Sequence, residues 1–209
     1  MNATANQAAT AMQDENWLKP CMSQNEAAMY REYVGRAKMV LEFGIGGSTG
    51  IAAEVPGVKL IGIDSHPDWI ARCKLDPRVA VLEREKRLDL KLVDIGTVGD
   101  WGMPTDPTSL RKWPTYSMGI WNQLNGRQPD FVFVDGRFRL SCALQTVLNL
   151  PQANYLVMHD FWSRDFYHPI LEFVEVIDRV DELGVFRPKP DADLRKLAKV
   201  ACRTLIDPR

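Results

Sequence analysis

The residues with the clearest chemical potential lie in Glu42-Phe43-Gly44-Ile45-Gly46-Gly47-Ser48-Thr49-Gly50. Gly44 and Gly46 let a backbone turn sharply after an apolar run and approach a ligand without side-chain obstruction. Beyond Gly47, with Ser48 next, the amides of a helix start can point at a polar group. A plain strand-to-helix turn is the bland alternative. Two ligand chemistries compete with it. A dinucleotide fingerprint needs glycine or alanine at its last position, where this sequence has Thr49, and its pyrophosphate would be repelled by Glu42. A cationic amino-acid ligand would be attracted to that carboxylate. Further along, Asp64, Asp94, Asp135 and Asp160 each follow an apolar run, and His159 precedes the last. One carboxylate can accept both hydroxyls of a vicinal diol, which gives Asp64 a chemical use besides capping a helix.

These residues need a scaffold that brings the ends of several strands together. Met39–Leu41, Val58–Ile63, Leu90–Val93, Phe131–Val134 and Tyr155–Met158 are short apolar runs of the kind that form buried strands. Helical segments separate them. Ser23 to Glu26 has the form of a capping box opening a helix to about Ala37, and Gly50–Val55 continues as helix after the glycine turn. Asp76-Pro77 opens another towards Arg87, with Val79–Leu82 as an alternative strand. The spacing of Leu140, Leu144, Val147 and Leu148 predicts a helix, as does that of Phe166, Ile170, Phe173, Val174 and Ile177. From Gly96 to Gln128, proline and tryptophan interrupt any period, leaving a long loop with one helix near Tyr116–Leu124. Gly184–Phe186 and Val200–Cys202 are expected as a terminal antiparallel hairpin. The fold expected is therefore one doubly wound, Rossmann-like α/β domain over 23–209. Its seven-stranded sheet is mostly parallel with an antiparallel edge hairpin, and residues 1–22 form a loose N-terminal arm.

Composition narrows the classes of function. In 209 residues, 45% are hydrophobic and 25% charged, which fits one folded domain and excludes a disordered or fibrous chain. Twenty-six basic against twenty-seven acidic side chains leave a formal charge of −1. That balance offers no bulk attraction to nucleic acid or anionic membrane. No apolar stretch approaches the roughly 20 residues of a membrane helix. Cys21, Cys73, Cys142 and Cys202 are widely spaced, and no secretory leader is evident, so a reduced cytoplasmic protein is expected.

The E-x-G-x-G pattern of Glu42, Gly44 and Gly46 after the first strand resembles motif I of class I S-adenosylmethionine-dependent methyltransferases. Ser48 occupies the place of the frequent third glycine. The resemblance implies that the glycine loop cradles the methionine part of S-adenosylmethionine. It also implies that Asp64 holds the ribose hydroxyls and that Asp94 meets the adenine amino group, with Trp101 either covering the adenine or packing in the core. Asp135-Gly136 and His159-Asp160 resemble a branch that includes metal-dependent O-methyltransferases. There an aspartate after the fourth strand and an Asp-Asn pair after the fifth bind a divalent cation. Asp135 and Asp160 match the aspartates, but Phe161 stands in place of the asparagine and removes an oxygen ligand, so a bound metal is not favoured.

On the acceptor side, His159 or Asp160 is expected as a general base, or else as a packed histidine and a helix cap. Asp135 is expected to border the cofactor. Arg137 and Arg139 either meet an acidic substrate or pair with neighbouring acids. Trp162, Arg164, Tyr167 and His168 suggest a substrate lip, and His66 is expected to face solvent. The function expected is methyl transfer to an unidentified small-molecule acceptor at oxygen. A methyltransferase-like binding protein without turnover and a nicotinamide-dependent oxidoreductase are the alternatives.

Overall fold

A computed structural model describes residues 18–209. The sheet is built from β1 (Met39–Phe43), β2 (Lys59–Asp64), β3 (Leu88–Leu92), β4 (Phe131–Val134), β5 (Tyr155–Met158), β6 (Val174–Val180) and β7 (Leu183–Pro188). Its order is β3-β2-β1-β4-β5-β7-β6; the first five strands pair in parallel, and β7 runs antiparallel to both β5 and β6. Strand order reverses between β1 and β4, which places the ligand crevice of such sheets at their carboxyl ends.

The central strands are continuous apolar runs because both faces are covered. Val40, Phe131 and Phe133 point into a core shared with α1 (Gln24–Val34), α2 (Gly47–Ala53) and α4 (Pro77–Arg84), where Tyr30, Ile51 and Leu82 meet them. Leu41, Val132 and Val134 point to the other face, covered by α5 (Pro114–Met118), α6 (Arg139–Asn149) and α7 (Leu194–Thr204) through Tyr116, Leu144 and Leu197. The remaining helix, α3 (Pro67–Leu75), follows β2 and contributes the buried Cys73.

Several sequence expectations hold. Ser23 and Glu26 form a complete capping box, and Asp76 caps α4 by accepting the Arg78 amide. The helix expected from Asp76-Pro77 does form, over Pro77–Arg84, and only its alternative, a strand at 79–82, is set aside. Others are corrected. The expected helix through Phe166 and Ile177 is a 3₁₀ turn over Asp165–Glu172, interrupted by Pro169, followed by β6. Proline and the β-branched Val174, Val176, Ile177 and Val180 favour strand over helix there. The edge hairpin is thus β6–β7, turning at Asp181 with φ of 46°, whereas Val200–Cys202 lies inside α7. Strand β3 ends at Leu92 rather than at Asp94, and the Tyr116–Leu124 helix is α5 plus a 3₁₀ turn at Trp121–Gln123. Of the expected arm, residues 1–17 lie outside the described residues. Leu18 is buried, its amide donating to Asp76 Oδ2 at 2.8 Å and its carbonyl accepting from Arg78. No helix among the described residues is long and apolar enough to cross a membrane.

Candidate active site

The switch between β1 and β4 is pinched to near contact. The amides of Asp135 and Gly136 both donate to the Phe43 carbonyl, at 2.9 and 2.7 Å. Gly44 has a φ of 88°, and a Cβ on it would lie 2.3 Å from the Gly136 backbone. The glycine loop and the β4 end therefore meet main chain to main chain. Above them opens a cavity of about 1050 Å³, bounded by the glycine loop, Asp64, the Gly99–Met103 loop and the ends of β4 and β5.

On the glycine-loop side, Gly44, Gly46, Gly47, Ser48 and Asp64 all line the cavity. Asp64 is fixed by two amides, accepting from His66 at 2.8 Å and from Ile45 at 3.3 Å. Burial raises its pKa against those hydrogen bonds. The indole of Trp69 donates to the Ile45 carbonyl and lies beside Gly46. Lys19 and Pro20 also line the cavity and pack on the loop, so close to Gly47 that a Cβ there would lie 2.1 Å from Pro20 N.

Glu42 departs from its expected role. It is fully buried beneath the loop and off the cavity wall, accepting from the hydroxyls of Ser48 and Thr49. Burial pushes its pKa up to about 8, so at neutral pH it is mainly a neutral acid bracing the loop. Asp94 is also displaced. Because β3 stops short of it, Asp94 is exposed, pairs with Lys112 at 2.7 Å and lies outside the cavity. Asp100 and Trp101 line the cavity from the same loop, Trp101 with φ of 57° and 77% exposed.

On the opposite side, Asp135, His159 and Asp160 converge. His159 is 6% exposed, with Nδ1 3.2 Å from Asp135 Oδ1 and Nε2 3.3 Å from Glu26 Oε2. Burial disfavours its charge, but the hydrogen bond and charge of Asp135, with Asp160 and Glu26, outweigh that and push its pKa up to about 9. It is accordingly an imidazolium at neutral pH, donating to two carboxylates, and is not free to accept a proton. Asp135 is held below the usual carboxylate range: its burial is outweighed by Arg139 and His159.

Of the two expectations for Arg139, pairing with neighbouring acids is the one that holds: it is 4% exposed at the centre of this group. Its Nη2 pairs with Asp135 Oδ1 and its Nη1 with Asp160 Oδ2, each at 3.0 Å. A divalent ion does not fit this donor set, because the guanidinium already lies between the two carboxylates that would ligate it. Asp160, with φ of 54°, also pairs with Arg164 at 2.9 Å. Arg137 lines the cavity and is half-buried, and its Nε has no hydrogen-bond partner among the described residues. Burial, together with the nearby charge of Arg139, lowers its pKa.

Trp162 and Tyr167 do not reach the cavity. Trp162 donates to the Leu183 carbonyl and lies under Arg179, while Tyr167 is 1% exposed in the core beneath α6. His66 is half-buried on the cavity wall rather than solvent-facing. Glu26 was legible only as a helix cap; its second role, as a buried partner of His159, is a long-range contact with no local signature.

No protein-family model and no curated protein sequence matches the chain. Among solved structures it is similar to a methyltransferase-like protein from Silicibacter pomeroyi. The two are 31% identical, with a TM-score of 0.77 over 92% of this chain and 100% of that one. A more distant likeness, in fold, is to an O-methyltransferase from Bacillus cereus solved in complex with SAH. That pair is 14% identical, with a TM-score of 0.53 over 90% of this chain and 91% of the other.

Proposed function

The chain belongs to the class I S-adenosylmethionine-dependent methyltransferase-like family, and from that premise we propose that it binds S-adenosylmethionine and transfers its methyl group to a small-molecule hydroxyl. The observation that carries the reading is Asp64, a buried carboxylate on the cavity wall beside the glycine loop, held by two amides, one of them from that loop, so that its oxygens are oriented before any ligand arrives. It takes the ribose hydroxyls. Gly44, Gly46, Gly47 and Ser48 give the methionine part a backbone floor, and Asp100 replaces Asp94 as the acid nearest the adenine end.

Methyl transfer is a displacement at a sulfonium that is already activated, so in-line positioning supplies most of the rate. The acceptor lies towards Asp135 and Asp160. Asp135 Oδ2 and Asp160 Oδ1 accept no hydrogen bond from the described residues, whereas the imidazolium of His159 has no basic nitrogen to offer. The acceptor proton therefore passes to Asp160, and His159 serves as a positioning residue. Arg137 Nε, which has no hydrogen-bond partner among the described residues, favours an acceptor that carries a carboxylate or phosphate. The occupied base position also favours a second reading, a cofactor-binding protein without turnover.

The test is thermal unfolding with S-adenosylmethionine, S-adenosylhomocysteine and NAD, followed by labelled-methyl transfer to hydroxylated acids. The first two ligands should stabilise the protein by about 2.7 kcal/mol at a hundredfold excess over Kd. Asp64→Ala should abolish that shift without unfolding the protein, and NAD should give none. A folded wild type that responds to neither ligand would overturn the reading. Binding without label transfer to any acceptor would select the non-catalytic one.

A further inference from the structure

Asp135, His159 and Asp160 each bring one ligand-type atom within 4.8 Å of the others, the spacing a divalent ion requires. Arg139 takes up that space. Its Nε donates to the Gly136 carbonyl at 3.0 Å and its Nη1 to the His159 carbonyl at 2.8 Å, so the main chain fixes the plane of the guanidinium at both strand ends. The remaining fork reaches Asp135 on one strand and Asp160 on the other. We propose that Arg139 is a resident cation that stands in for a divalent metal between β4 and β5, and that removing it opens Asp135 and Asp160 as the carboxylate ligands of a divalent-cation site.

The local backbone is built for this placement. Phe138 adopts φ of 53°, a strained conformation for a bulky side chain, and buries its ring against Trp113 and Tyr116. That turn starts α6 at Arg139, which points its side chain back across the sheet. A metal ion would bridge the two carboxylates by accepting their lone pairs; the planar fork does the same with N–H donors. Lysine, a single ammonium on a flexible stem, cannot hold two carboxylates and two carbonyls at once. When the guanidinium is cut away, Asp135 and Asp160 lose the cation that hydrogen-bonds to both, and although His159 still faces them, their paired oxygen donors suit a hard cation. Among the described residues Arg164 pairs only with Asp160, from the more exposed rim. The inference goes beyond the proposed function, because it needs neither cofactor nor acceptor.

Manganese titration, read by water-proton relaxation, tests it on the whole protein. The wild type should bind no stoichiometric Mn²⁺. Arg139→Ala should bind one ion at least about tenfold more tightly than any residual wild-type binding, with Asp135→Asn in the same chain removing it. Arg139→Lys should stay empty, since it keeps a positive charge in the space. Arg139→Met, which keeps the stem, takes the place of the alanine variant if that one does not fold. Stoichiometric Mn²⁺ binding by the wild type that Asp135→Asn abolishes would overturn the proposal. So would a folded Arg139→Ala or Arg139→Met that binds none, and the wild-type measurement decides even if neither variant folds.

Discussion

Gly44→Ala should destabilise the protein by about 3–5 kcal/mol, enough to remove much of the stability of a domain this size. Two costs combine. The residue has φ of 88°, outside the range a side chain adopts comfortably, and its Cβ would sit 2.3 Å from the Cα and N of Gly136. Neither neighbour is a flexible side-chain tip. Gly136 is itself held by its amide to the Phe43 carbonyl, and a Cβ on it would meet the Tyr116 hydroxyl. Relief therefore means prising β1 from β4 at the switch point. Gly46→Ala is the control: its φ of 172° is extended backbone, and its Cβ would meet Trp69 at an ordinary 3.5 Å. Equilibrium urea unfolding compares the two. A loss below about 1 kcal/mol for Gly44→Ala would contradict the close approach.

Stability should also fall as pH rises from about 6.5 to 9. His159 titrates near 9 in the folded protein and at an ordinary 6.5 when unfolded, so the folded state holds the extra proton through that window. Its contribution is fully present below 6.5 and is lost as pH passes through 9. A shift of this size corresponds to about 3 kcal/mol. Glu42 acts in the same direction over a lower window. Folded, it keeps its proton to about 8 instead of an ordinary 4.5, so its share is lost between those values. Denaturation midpoints across the pH series should show the decline. His159→Gln should flatten its alkaline part and Glu42→Gln its neutral part. A level profile from 6.5 to 9 in the wild type would show that the imidazole is not held between Asp135 and Glu26 as the structure has it.

How much was legible from sequence follows from how local each interaction is. Buried parallel strands are unbroken apolar runs, so β1, β2, β4 and β5 and the acids at their ends stood out without a structure. Strand β3 lies at the sheet edge with half-buried residues, and its weak pattern shifted the expected end onto Asp94. The apolar residues from Phe166 to Ile177 match a helical period only by coincidence, since Phe166 is partly exposed and Val174 begins a strand. Trp162 and Tyr167 were judged by type as a substrate lip, but core packing claimed them. Glu42 stands out by its position at the end of β1, yet its burial under Ser48 and Thr49 makes it a brace for the loop. Arg139 was the least legible. Its meaning comes from Asp160, on another strand, and nothing in the local spacing announces that contact.

The Glu26 carboxylate ties together segments that are far apart in the chain. One oxygen accepts the Glu182 amide at 2.9 Å; the other accepts the Ser23 amide at 2.7 Å and meets His159. A helix start and a hairpin turn normally exchange their amide hydrogens early and independently of each other. Here they share one carboxylate, so the opening of either loosens the group that holds the other. The first turn of α1 and the β6–β7 turn should therefore exchange as one cooperative unit with a common opening energy. Any ligand that immobilises His159 would then slow deuterium uptake at an edge turn it never touches.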